Sequence, residues 1–188
     1  MTVLVTGGLG YIGSHTCVSL LQSGREVVIL DNLSNSVGLV AQRIEAISKR
    51  QVLFIEGDMR DEALIDRILA AHRIEAVVHF AASKAVAESV AEPLTYYRNN
   101  VAGTLSLLHG MEKAGVRTLV FSSSATVYGE SSSLPIREDF PRAATNPYGR
   151  SKVMQEDILD DLARSDASWR IISLRYFNPV GAHESGLI

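Results

Sequence analysis

The stretch that decides the fold is Val3-Leu4-Val5-Thr6-Gly7-Gly8-Leu9-Gly10-Tyr11-Ile12-Gly13, which places a glycine-rich turn between an apolar strand pattern and a helix pattern. Gly7, Gly10 and Gly13 recur every three residues, and Gly8, Gly10 and Gly13 fit the spacing G-x-G-x-x-G. Glycine permits a positive-φ turn, close approach to a phosphate and close helix packing, and the first N–H groups of the helix attract an anion. Alone, the stretch equally fits an ordinary strand-to-helix turn. Together with the next strand, it predicts a turn that holds a dinucleotide pyrophosphate.

That next strand is a second apolar run, Glu26-Val27-Val28-Ile29-Leu30-Asp31, which ends in a carboxylate 18 positions after Gly13. Dinucleotide-binding folds place an acidic residue about 20 positions after the glycines, where it accepts hydrogen bonds from the adenosine ribose. A carboxylate at this place repels the 2′-phosphate of NADP. Asp31 therefore predicts NAD as the cofactor.

Short apolar runs alternate with segments of helical period along the chain. Strands are predicted near residues 2–6, 26–31, 51–56, 75–81, 117–122 and 169–175, and helices near 11–23, 36–49, 61–72, 94–114 and 148–164. Such alternation indicates βαβ units, whose right-handed crossovers build a parallel sheet with helices on both faces. The predicted fold class is therefore α/β, a doubly wound parallel sheet of Rossmann type, with its ligand beyond the carboxyl ends of the strands.

The composition favours one globular, soluble domain. The chain has 188 residues, 46% of them hydrophobic, and a formal net charge of −3 from 18 basic and 21 acidic residues. This apolar content is sufficient for a core on both faces of a sheet. The sequence has no basic run interleaved with aromatic residues, and no stretch reaches the roughly 18 apolar residues of a membrane span. We therefore expect neither nucleic acid nor a membrane as a partner.

The cysteine and histidine content indicates neither a disulfide nor a metal site. Cys17 is the single cysteine and lies in the apolar stripe of the first helix, where a buried thiol is expected. The five histidines lack the spacing of metal ligands and do not cluster with this cysteine. His79 lies in an apolar run and is interpreted as a hydrogen-bonded core residue. We predict no metal, and a reducing compartment, the cytoplasm, as the location.

Tyr148, Lys152 and Ser124 are the candidate catalytic residues. If Pro147 opens a helix, Tyr148 and Lys152 lie one turn apart on one face, although this spacing alone also fits an exposed helix pair. A phenol has a pKa of about 10, so a tyrosine base needs nearby positive charge, which Lys152 and a nicotinium ring can supply. Ser122 and Ser124 end an apolar strand, so we expect their hydroxyls in the cofactor crevice, where Ser124 can bond the substrate oxygen that Tyr148 deprotonates. The constellation predicts hydride transfer between an alcohol and a ketone.

Further motifs show that the sequence resembles the extended short-chain dehydrogenase/reductases, and among them the NAD-dependent epimerase/dehydratase family. The resemblance runs from Val3 to Ile188. The motifs that carry it are Val-Thr-Gly-Gly-x-Gly-Tyr-Ile-Gly-Ser-His at 5–15, Leu-Asp-Asn-Leu-x-Asn-Ser at 30–36, Glu-Gly-Asp-Met-Arg at 56–60, His-Phe-Ala-Ala-x-Lys-Ala-Val at 79–86, Tyr-Tyr-x-Asn-Asn-Val-x-Gly-Thr at 96–104, Phe-Ser-Ser-Ser-Ala-Thr-Val-Tyr-Gly at 121–129 and Leu-Arg-Tyr-Phe-Asn-Pro-Val-Gly-Ala-His at 174–183.

The resemblance implies a role for each candidate binding residue. On the adenosine side these are Tyr11 and Ile12 at the pyrophosphate, Asp31 at the ribose, Asn32, Leu33, Ser34, Asn35 and Ser36 around the adenine, and Asp58 and Met59 on it. On the nicotinamide side they are Phe80, Ala81, Ala82, Ser83, Lys84, Asn99, Ser122, Tyr148, Lys152 and Phe177. The implied substrate contacts are Lys84, Ser124, Tyr148 and Asn178. From the residues alone, Asp58 also fits a turn acid, and Asn99 a capping residue.

The resemblance also implies an activity, the NAD-dependent epimerisation of a UDP-hexose at C4, which interconverts UDP-glucose and UDP-galactose through a 4-keto sugar. A sugar-nucleotide 4,6-dehydratase is an alternative, but it needs carboxyl groups just before the Val-Tyr-Gly motif, where this chain has Ala125 and Thr126. A second alternative is a non-catalytic dinucleotide-binding protein, which would have no need of Tyr148. The catalytic residues favour the epimerase.

The chain is shorter than the members of this family. We expect residues 1–178 to form the NAD-binding domain and residues 179–188 to start a C-terminal substrate domain that is missing. Because that domain would hold much of the uridine and sugar pocket, the chain is expected to bind NAD but to have little or no epimerase activity alone. A homodimer is expected for the full-length form.

Overall fold

The sheet is built from parallel strands at the places that the sequence predicts. The computed structural model describes residues 1–131 and 133–188. The strands within these ranges are β1 Thr2–Thr6, β2 Glu26–Asp31, β3 Leu53–Glu56, β4 Ile74–His79, β5 Thr118–Ser124 and β6 Arg170–Tyr176. They form one parallel sheet in the order β3-β2-β1-β4-β5-β6. This order is that of dinucleotide-binding doubly wound sheets. The predicted fold class is therefore confirmed.

Helices connect the strands. They are α1 Tyr11–Gln22, α2 Leu39–Ser48, α3 Glu62–Ala71, α4 Val86–Ala91, α5 Pro93–Tyr96, α6 Gly103–Lys113 and α7 Pro147–Ser165. A 3₁₀-helix, Ala125–Tyr128, follows β5. Helix α4 was not predicted, because its apolar residues Val86 and Val90 are exposed and form no buried stripe.

The core lies on both faces of the sheet, as the alternation of strand residues requires. Leu4 belongs to the cluster that packs under α3, α6 and α7, whereas its neighbours Val3 and Val5 belong to the cluster under α1 and α2. Leu4 and Val5 are fully buried. Because β1 is covered on both sides, its carboxyl end is held rigidly at the centre of the sheet.

The carboxyl ends of the central strands are aligned. Thr6 at the end of β1 pairs with Leu30 in β2 and with His79 in β4. Strand β4 ends at His79 rather than near residue 81, since both Phe80 and Ala81 donate their N–H groups to the Thr6 carbonyl, at the last residue of β1. The strand order reverses between β1 and β4, so a crevice for a ligand is expected beyond these ends.

The predicted helix near 94–114 contains a π-helix, Tyr97–Ala102, between α5 and α6. A π turn holds one residue more than an α-helical turn and is frequent at functional sites. In this turn the Asn100 carbonyl accepts hydrogen bonds from Thr104 Oγ1 at 2.7 Å and from Gln155 Nε2 at 3.0 Å. The π-helix is thereby attached to α7.

Within residues 1–131 and 133–188, no helix is both long enough and apolar enough to cross a membrane. In the same ranges, no group of three or more His, Cys, Asp and Glu side chains is arranged to hold a metal ion.

Candidate cofactor and catalytic site

Two of the predicted glycines are required by packing. Gly7 has φ +68°, and a Cβ atom on it would lie 2.6 Å from the backbone nitrogen of Ala81. A Cβ atom on Gly13 would collide with the Gly7 carbonyl oxygen. Gly10 is different, because a Cβ atom there would lie 3.4 Å from that same oxygen. Gly10 therefore leaves space on the outer side of the turn, where a ligand would approach.

The start of α1 offers backbone donors to that ligand. The N–H group of Ser14 makes the first intrahelical hydrogen bond, to the Gly10 carbonyl at 2.8 Å. The N–H groups of Tyr11, Ile12 and Gly13 precede it, and α1 begins without a side-chain cap. Three adjacent N–H groups at a positive helix end fit a pyrophosphate.

Asp31 lies beside this turn, at the end of β2, and is buried. Its Oδ2 accepts a hydrogen bond from the Leu9 N–H at 3.0 Å. Its Oδ1 accepts from the Leu33 N–H at 3.0 Å and from the Ser36 hydroxyl at 2.8 Å. The carboxylate thus joins the glycine-rich turn to the loop after β2. This structural role was missed by the sequence analysis, which considered only the ribose.

A cavity of about 440 Å³ follows the loop after β2. Its lining includes Gly10, Tyr11, Ser34, Asn35 and Ser36 from the predicted set, together with Leu187 and Ile188. The cavity lies beside the residues predicted for the adenosine side, and its lining combines the polar side chains of residues 34–36 with a larger apolar surface.

The end of the chain lies against this side of the molecule. Tyr11 donates its hydroxyl to the Gly181 carbonyl at 2.7 Å, and Arg43 donates to the Leu187 carbonyl at 3.1 Å. Ile188 packs against the cluster under α1 and α2. Residues 181–188 therefore contact the NAD-binding fold. Their assignment to a separate domain stays a prediction.

Asp58 and Asn32 lie together at the next strand end. Asn32 Nδ2 donates to Asp58 Oδ2 at 3.2 Å, and the Arg60 guanidinium donates to both Asp58 oxygens at 2.6 and 2.8 Å. The hydrogen bonds from Arg60 lower the pKa of the Asp58 carboxyl group to about 2. Met59 is buried in the core, so only its backbone faces the adenine side.

The loop after β4 is held by two asparagines. Asn100 accepts from the Ser83 N–H at 2.8 Å and donates to the Ser83 carbonyl at 3.0 Å. Asn99 Nδ2 donates to the Ser83 hydroxyl at 3.1 Å. The predicted residues Ala82 and Lys84 flank Ser83 in this loop, with Lys84 exposed. The Phe80 side chain is partly buried and packs against the cluster under α1 and α2.

The predicted catalytic residues meet at the ends of β5 and α7. Pro147 opens α7, and the Asn146 side chain caps it by accepting from the Gly149 N–H at 2.8 Å. This places Tyr148 and Lys152 on one face, as the spacing predicts. The Lys152 ammonium group donates to the Ser122 carbonyl at 2.8 Å. Ser122 thus contributes its backbone oxygen rather than its hydroxyl to this contact.

Burial and the nearby Ser124 side chain have opposite effects on the pKa of Tyr148. Burial raises the pKa of the phenol above its usual value, and Ser124 partly offsets that rise. Burial lowers the pKa of Lys152 to about 7, whereas the Glu156 carboxylate raises it. The site therefore brings a tyrosine and a lysine at the start of α7 and a serine hydroxyl at the end of β5 into one region, a set that can move a proton on and off an alcohol.

His79 lies behind this set as a core residue. Its ring nitrogens are 2.6 Å from Thr6 Oγ1 and 2.9 Å from Thr104 Oγ1. Burial, together with the smaller effect of the neighbouring positive charge of Lys152, lowers its pKa to about 3. The imidazole is therefore neutral and hydrogen-bonded inside the sheet, in agreement with the sequence interpretation.

Phe177 and Asn178 follow β6 on the open side of the site. The Phe177 side chain is 59% exposed, and Asn178 is exposed as well. An exposed aromatic ring beside a polar amide leaves a surface on which a flat ring and a sugar can rest. Both residues remain predicted contacts.

The sequence analysis missed a buried ionic group behind the catalytic residues. Glu156 is 3% exposed and accepts from Arg175 at 2.7 and 3.0 Å, from Arg142 at 3.2 Å and from the Ser123 hydroxyl. Arg175 also lies 4.9 Å from the centre of the Tyr128 ring. Glu156 is eight residues after Tyr148 on the inner face of α7, a spacing that could have indicated it.

Comparison with known proteins identifies the family of this chain. The sequence profile of the NAD dependent epimerase/dehydratase family matches residues 3–187. The chain belongs to this family. This family is NAD dependent, so the prediction of NAD as the cofactor is confirmed.

Members of this family resemble the chain closely over its whole length. It is 57% identical over 188 residues to the UDP-glucose 4-epimerase of Bacillus subtilis and 56% identical over 189 residues to that of Neisseria gonorrhoeae. Both alignments cover all of this chain but only 56% of the length of the relative. The chain therefore spans about half the length of the curated family members it matches.

Solved structures of family members have the same fold as this chain. The UDP-glucose 4-epimerase of Bifidobacterium longum in complex with NAD⁺ and UDP has a TM-score of 0.98 and 53% identity. It matches 100% of this chain and 56% of its own. The Stenotrophomonas maltophila enzyme, with bound NAD and a formylated UDP-arabinopyranose, has a TM-score of 0.98 and 50% identity.

Proposed function

We propose that this chain is the NAD-binding part of an epimerase that interconverts UDP-glucose and UDP-galactose at C4 through a 4-keto sugar. The observation that carries the proposal is the position of Tyr148, which shares one face of α7 with the buried Lys152, whose ammonium group is held at the end of β5 by the Ser122 carbonyl. The identity to curated UDP-glucose 4-epimerases supports the choice of sugar nucleotide.

NAD would be held along the carboxyl edge of the sheet. The N–H groups at the start of α1 fit its pyrophosphate, Asp31 fits the adenosine ribose, and the 440 Å³ cavity fits the adenosine side. Phe177 offers an exposed ring to the nicotinamide half. When bound, NAD supplies the acceptor and donor of a hydride.

The residues of the chain would manage the proton. Tyr148 takes the proton from the sugar 4-hydroxyl and returns it, while Ser124 donates a hydrogen bond to the same oxygen. The Lys152 ammonium group, fixed by the Ser122 carbonyl, adds positive charge that stabilises the phenolate. Asn178 and Lys84, both exposed beside the site, are the proposed contacts to the sugar nucleotide.

The 4,6-dehydratase alternative is disfavoured by the residues after Ser124. Ala125 carries no titratable group, and the Thr126 hydroxyl is bonded to Ser124 at 2.9 Å. Neither can act as the carboxyl acid or base that water elimination needs.

A homodimer also belongs to the proposal. The groove between α6 and α7 is lined by Leu105, Leu108, Ile158 and Leu162, and Leu105 is 37% exposed. A second copy presenting the same face would cover these side chains. In a protein of the relatives' length, light scattering should give a dimer mass for the parent and a monomer mass for Leu105→Glu, while Leu94→Glu, at an 81% exposed position on α5, should leave the dimer intact. The cytoplasm is the proposed location, because the buried thiol of Cys17 is free.

The test combines two measurements on this chain and on a protein of the relatives' length. Calorimetry should detect NAD binding to both proteins. A coupled assay should detect conversion of UDP-galactose by the long protein and little or none by the chain alone. NAD binding without turnover of any hexose nucleotide would identify a non-catalytic dinucleotide-binding protein, and release of a 4-keto-6-deoxy sugar would identify a dehydratase.

A further inference from the structure

The Asp58 carboxylate accepts four hydrogen bonds, of which three come from one residue. Its Oδ1 accepts from the Arg60 N–H at 2.9 Å and from Arg60 Nε at 2.8 Å. Its Oδ2 accepts from Arg60 Nη2 at 2.6 Å and from Asn32 Nδ2 at 3.2 Å. A carboxylate offers about four lone-pair positions. All the acceptor positions of Asp58 are therefore occupied.

These hydrogen bonds are unequal in strength. The two from the Arg60 side chain form a bidentate pair with a cation, and such bonds are shorter and stronger than neutral ones. The bond from the neutral Asn32 amide is the longest of the four, and Asn32 is an exposed residue. The amide orientation of Asn32 is fixed independently, because its Oδ1 accepts from the Ser34 N–H at 3.1 Å. A new donor at Asp58 would therefore replace Asn32 and not Arg60.

The turn that carries Arg60 is fixed by the surrounding fold. The Asp61 N–H donates to the Asp58 carbonyl at 3.0 Å, and the Asp61 side chain caps α3 by accepting from the Leu64 N–H at 3.0 Å. A Cβ atom on Gly103, the first residue of α6, would lie 3.4 Å from Arg60 Cγ. The stem of the arginine thus packs against the start of α6, while its guanidinium group bonds Asp58.

Asp58 lies one strand beyond the residue that is predicted for the ribose. Asp31 at the end of β2 pairs with Glu56 at the end of β3, and the Gly57 N–H donates to the Asp31 carbonyl at 3.0 Å. The glycine-rich turn, Asp31 and Asp58 thus follow the neighbouring strands β1, β2 and β3 in that order. Pyrophosphate, ribose and adenine follow one another in the same order in NAD. An acceptor at the third place suits the adenine amino group.

We propose that Arg60 is a positioning residue for the adenine end of NAD. It fixes the Asp58 carboxylate so that one exchangeable acceptor position, now occupied by the Asn32 amide, is offered to the adenine amino group. The released amide is hydrated, because Asn32 is exposed. The inference rests on the part of the proposed function that concerns NAD and is independent of the sugar chemistry.

The experiment compares NAD with nicotinamide hypoxanthine dinucleotide, which has a carbonyl oxygen in place of the adenine amino group. Calorimetry gives the Kd of each dinucleotide, and the ratio of the two values measures the discrimination. The parent should bind NAD about 10–100-fold more tightly, the value of one hydrogen bond to a charged group. A general loss of structure weakens both dinucleotides alike and leaves the ratio unchanged, so the ratio reports on positioning.

The variants separate the bidentate pair from the charge. Arg60→Leu removes both, and Arg60→Lys keeps the charge without the planar guanidinium. Each should lower the ratio to about 1–5-fold, because the carboxylate loses its alignment. Asn32→Ala should raise the ratio by about 2–10-fold, since NAD then displaces no neutral hydrogen bond. Arg67→Leu, at an exposed arginine on α3, is the matched control and should keep the parental ratio.

Three results would overturn the inference. A parental ratio in Asp58→Ala would show that the adenine amino group is recognised elsewhere. A parental ratio in Arg60→Lys would assign the effect to charge, and an unchanged ratio in Asn32→Ala would reject the exchange.

The titrations also distinguish this inference from the proposed activity. They use no sugar nucleotide, so a protein without epimerase activity that shows the expected ratios would reject the activity and retain the role of Arg60. A parent that binds neither dinucleotide would reject both.

Discussion

Lys152 donates a hydrogen bond from its ammonium group to the Ser122 carbonyl across 2.8 Å, although its side chain is only 2% exposed. The same nitrogen lies 4.7 Å from the centre of the Phe121 ring. The charge is therefore held by the end of β5 rather than by water. Burial is the main reason why its pKa falls to about 7.

This burial should make stability depend on pH in a defined direction. An unfolded lysine has a pKa near 10.5, so between pH 7 and 10.5 the unfolded chain binds more protons than the folded chain. The free energy of unfolding attributable to Lys152 therefore rises with pH across this window. Lys152→Met should remove the rise, as measured by urea denaturation at a series of pH values. Lys113→Met, at an exposed lysine paired with Asp66, should retain it.

Tyr148→Phe removes one hydroxyl and should separate binding from turnover. In a protein of the relatives' length, we expect UDP-galactose conversion to fall by about 10²–10⁴-fold, the usual contribution of positioned proton transfer. The NAD dissociation constant should stay close to that of the parent, because the N–H groups at the start of α1 and the Asp31 carboxylate are unchanged. Ser124→Ala should also reduce turnover. Near-parental rates in Tyr148→Phe would contradict the catalytic role.

Asp31→Asn tests the choice between NAD and NADP. The variant loses the negative charge of a carboxylate that accepts three internal hydrogen bonds and is proposed to face the ribose. NAD binding should weaken by about 10–100-fold, the value of one or two hydrogen bonds to a charged group, and discrimination against NADP should decrease. Ser36→Ala removes one of these hydrogen bonds but keeps the charge, so it should preserve the preference. Calorimetry with both cofactors distinguishes the two variants.

Glu156→Gln should destabilise the fold by about 3–5 kcal/mol, because it leaves the cations of Arg175 and Arg142 without their buried partner. The neighbouring Asp157 provides a matched control. It pairs with Arg142 at 2.7 Å, but its side chain is 54% exposed. Asp157→Asn should therefore cost at most about 1 kcal/mol in chemical denaturation. Equal losses in both variants would refute the importance of burial at Glu156.

The features that the sequence predicted are those that local spacing encodes. The glycine-rich turn, Asp31 and the pair Tyr148 and Lys152 each lie within one element or at one strand end. Because parallel strands end at the same edge, knowledge of the strands was sufficient to bring these residues together. The family resemblance added the loops around Asp58 and Asn99, where local sequence alone also fitted turn and capping roles.

The features that the sequence did not predict depend on contacts between distant elements. Glu156 meets Arg175 across 19 positions, and no local pattern records that pairing. The main-chain contact between Lys152 and Ser122 depends on how α7 packs on β5. The sequence analysis considered Thr126 only as a residue that replaces a carboxyl group of the 4,6-dehydratases. Its hydrogen bonds to Ser124 were not predicted, because they arise from the 3₁₀ conformation and not from the residue type.

The π turn at Tyr97–Ala102 makes the number of residues in this helix more important to its structure than their identity. It sets two helical segments out of phase, so that Asn100 meets Ser83 on one side while Thr104 and Gln155 meet its carbonyl on the other. Deletion of one residue would restore an α-helical phase and rotate the preceding segment by about 100°. We therefore expect an insertion or deletion in this turn to disturb the crevice more than a substitution at an exposed position, because the number of residues in the turn fixes the relative rotation of the two helical segments.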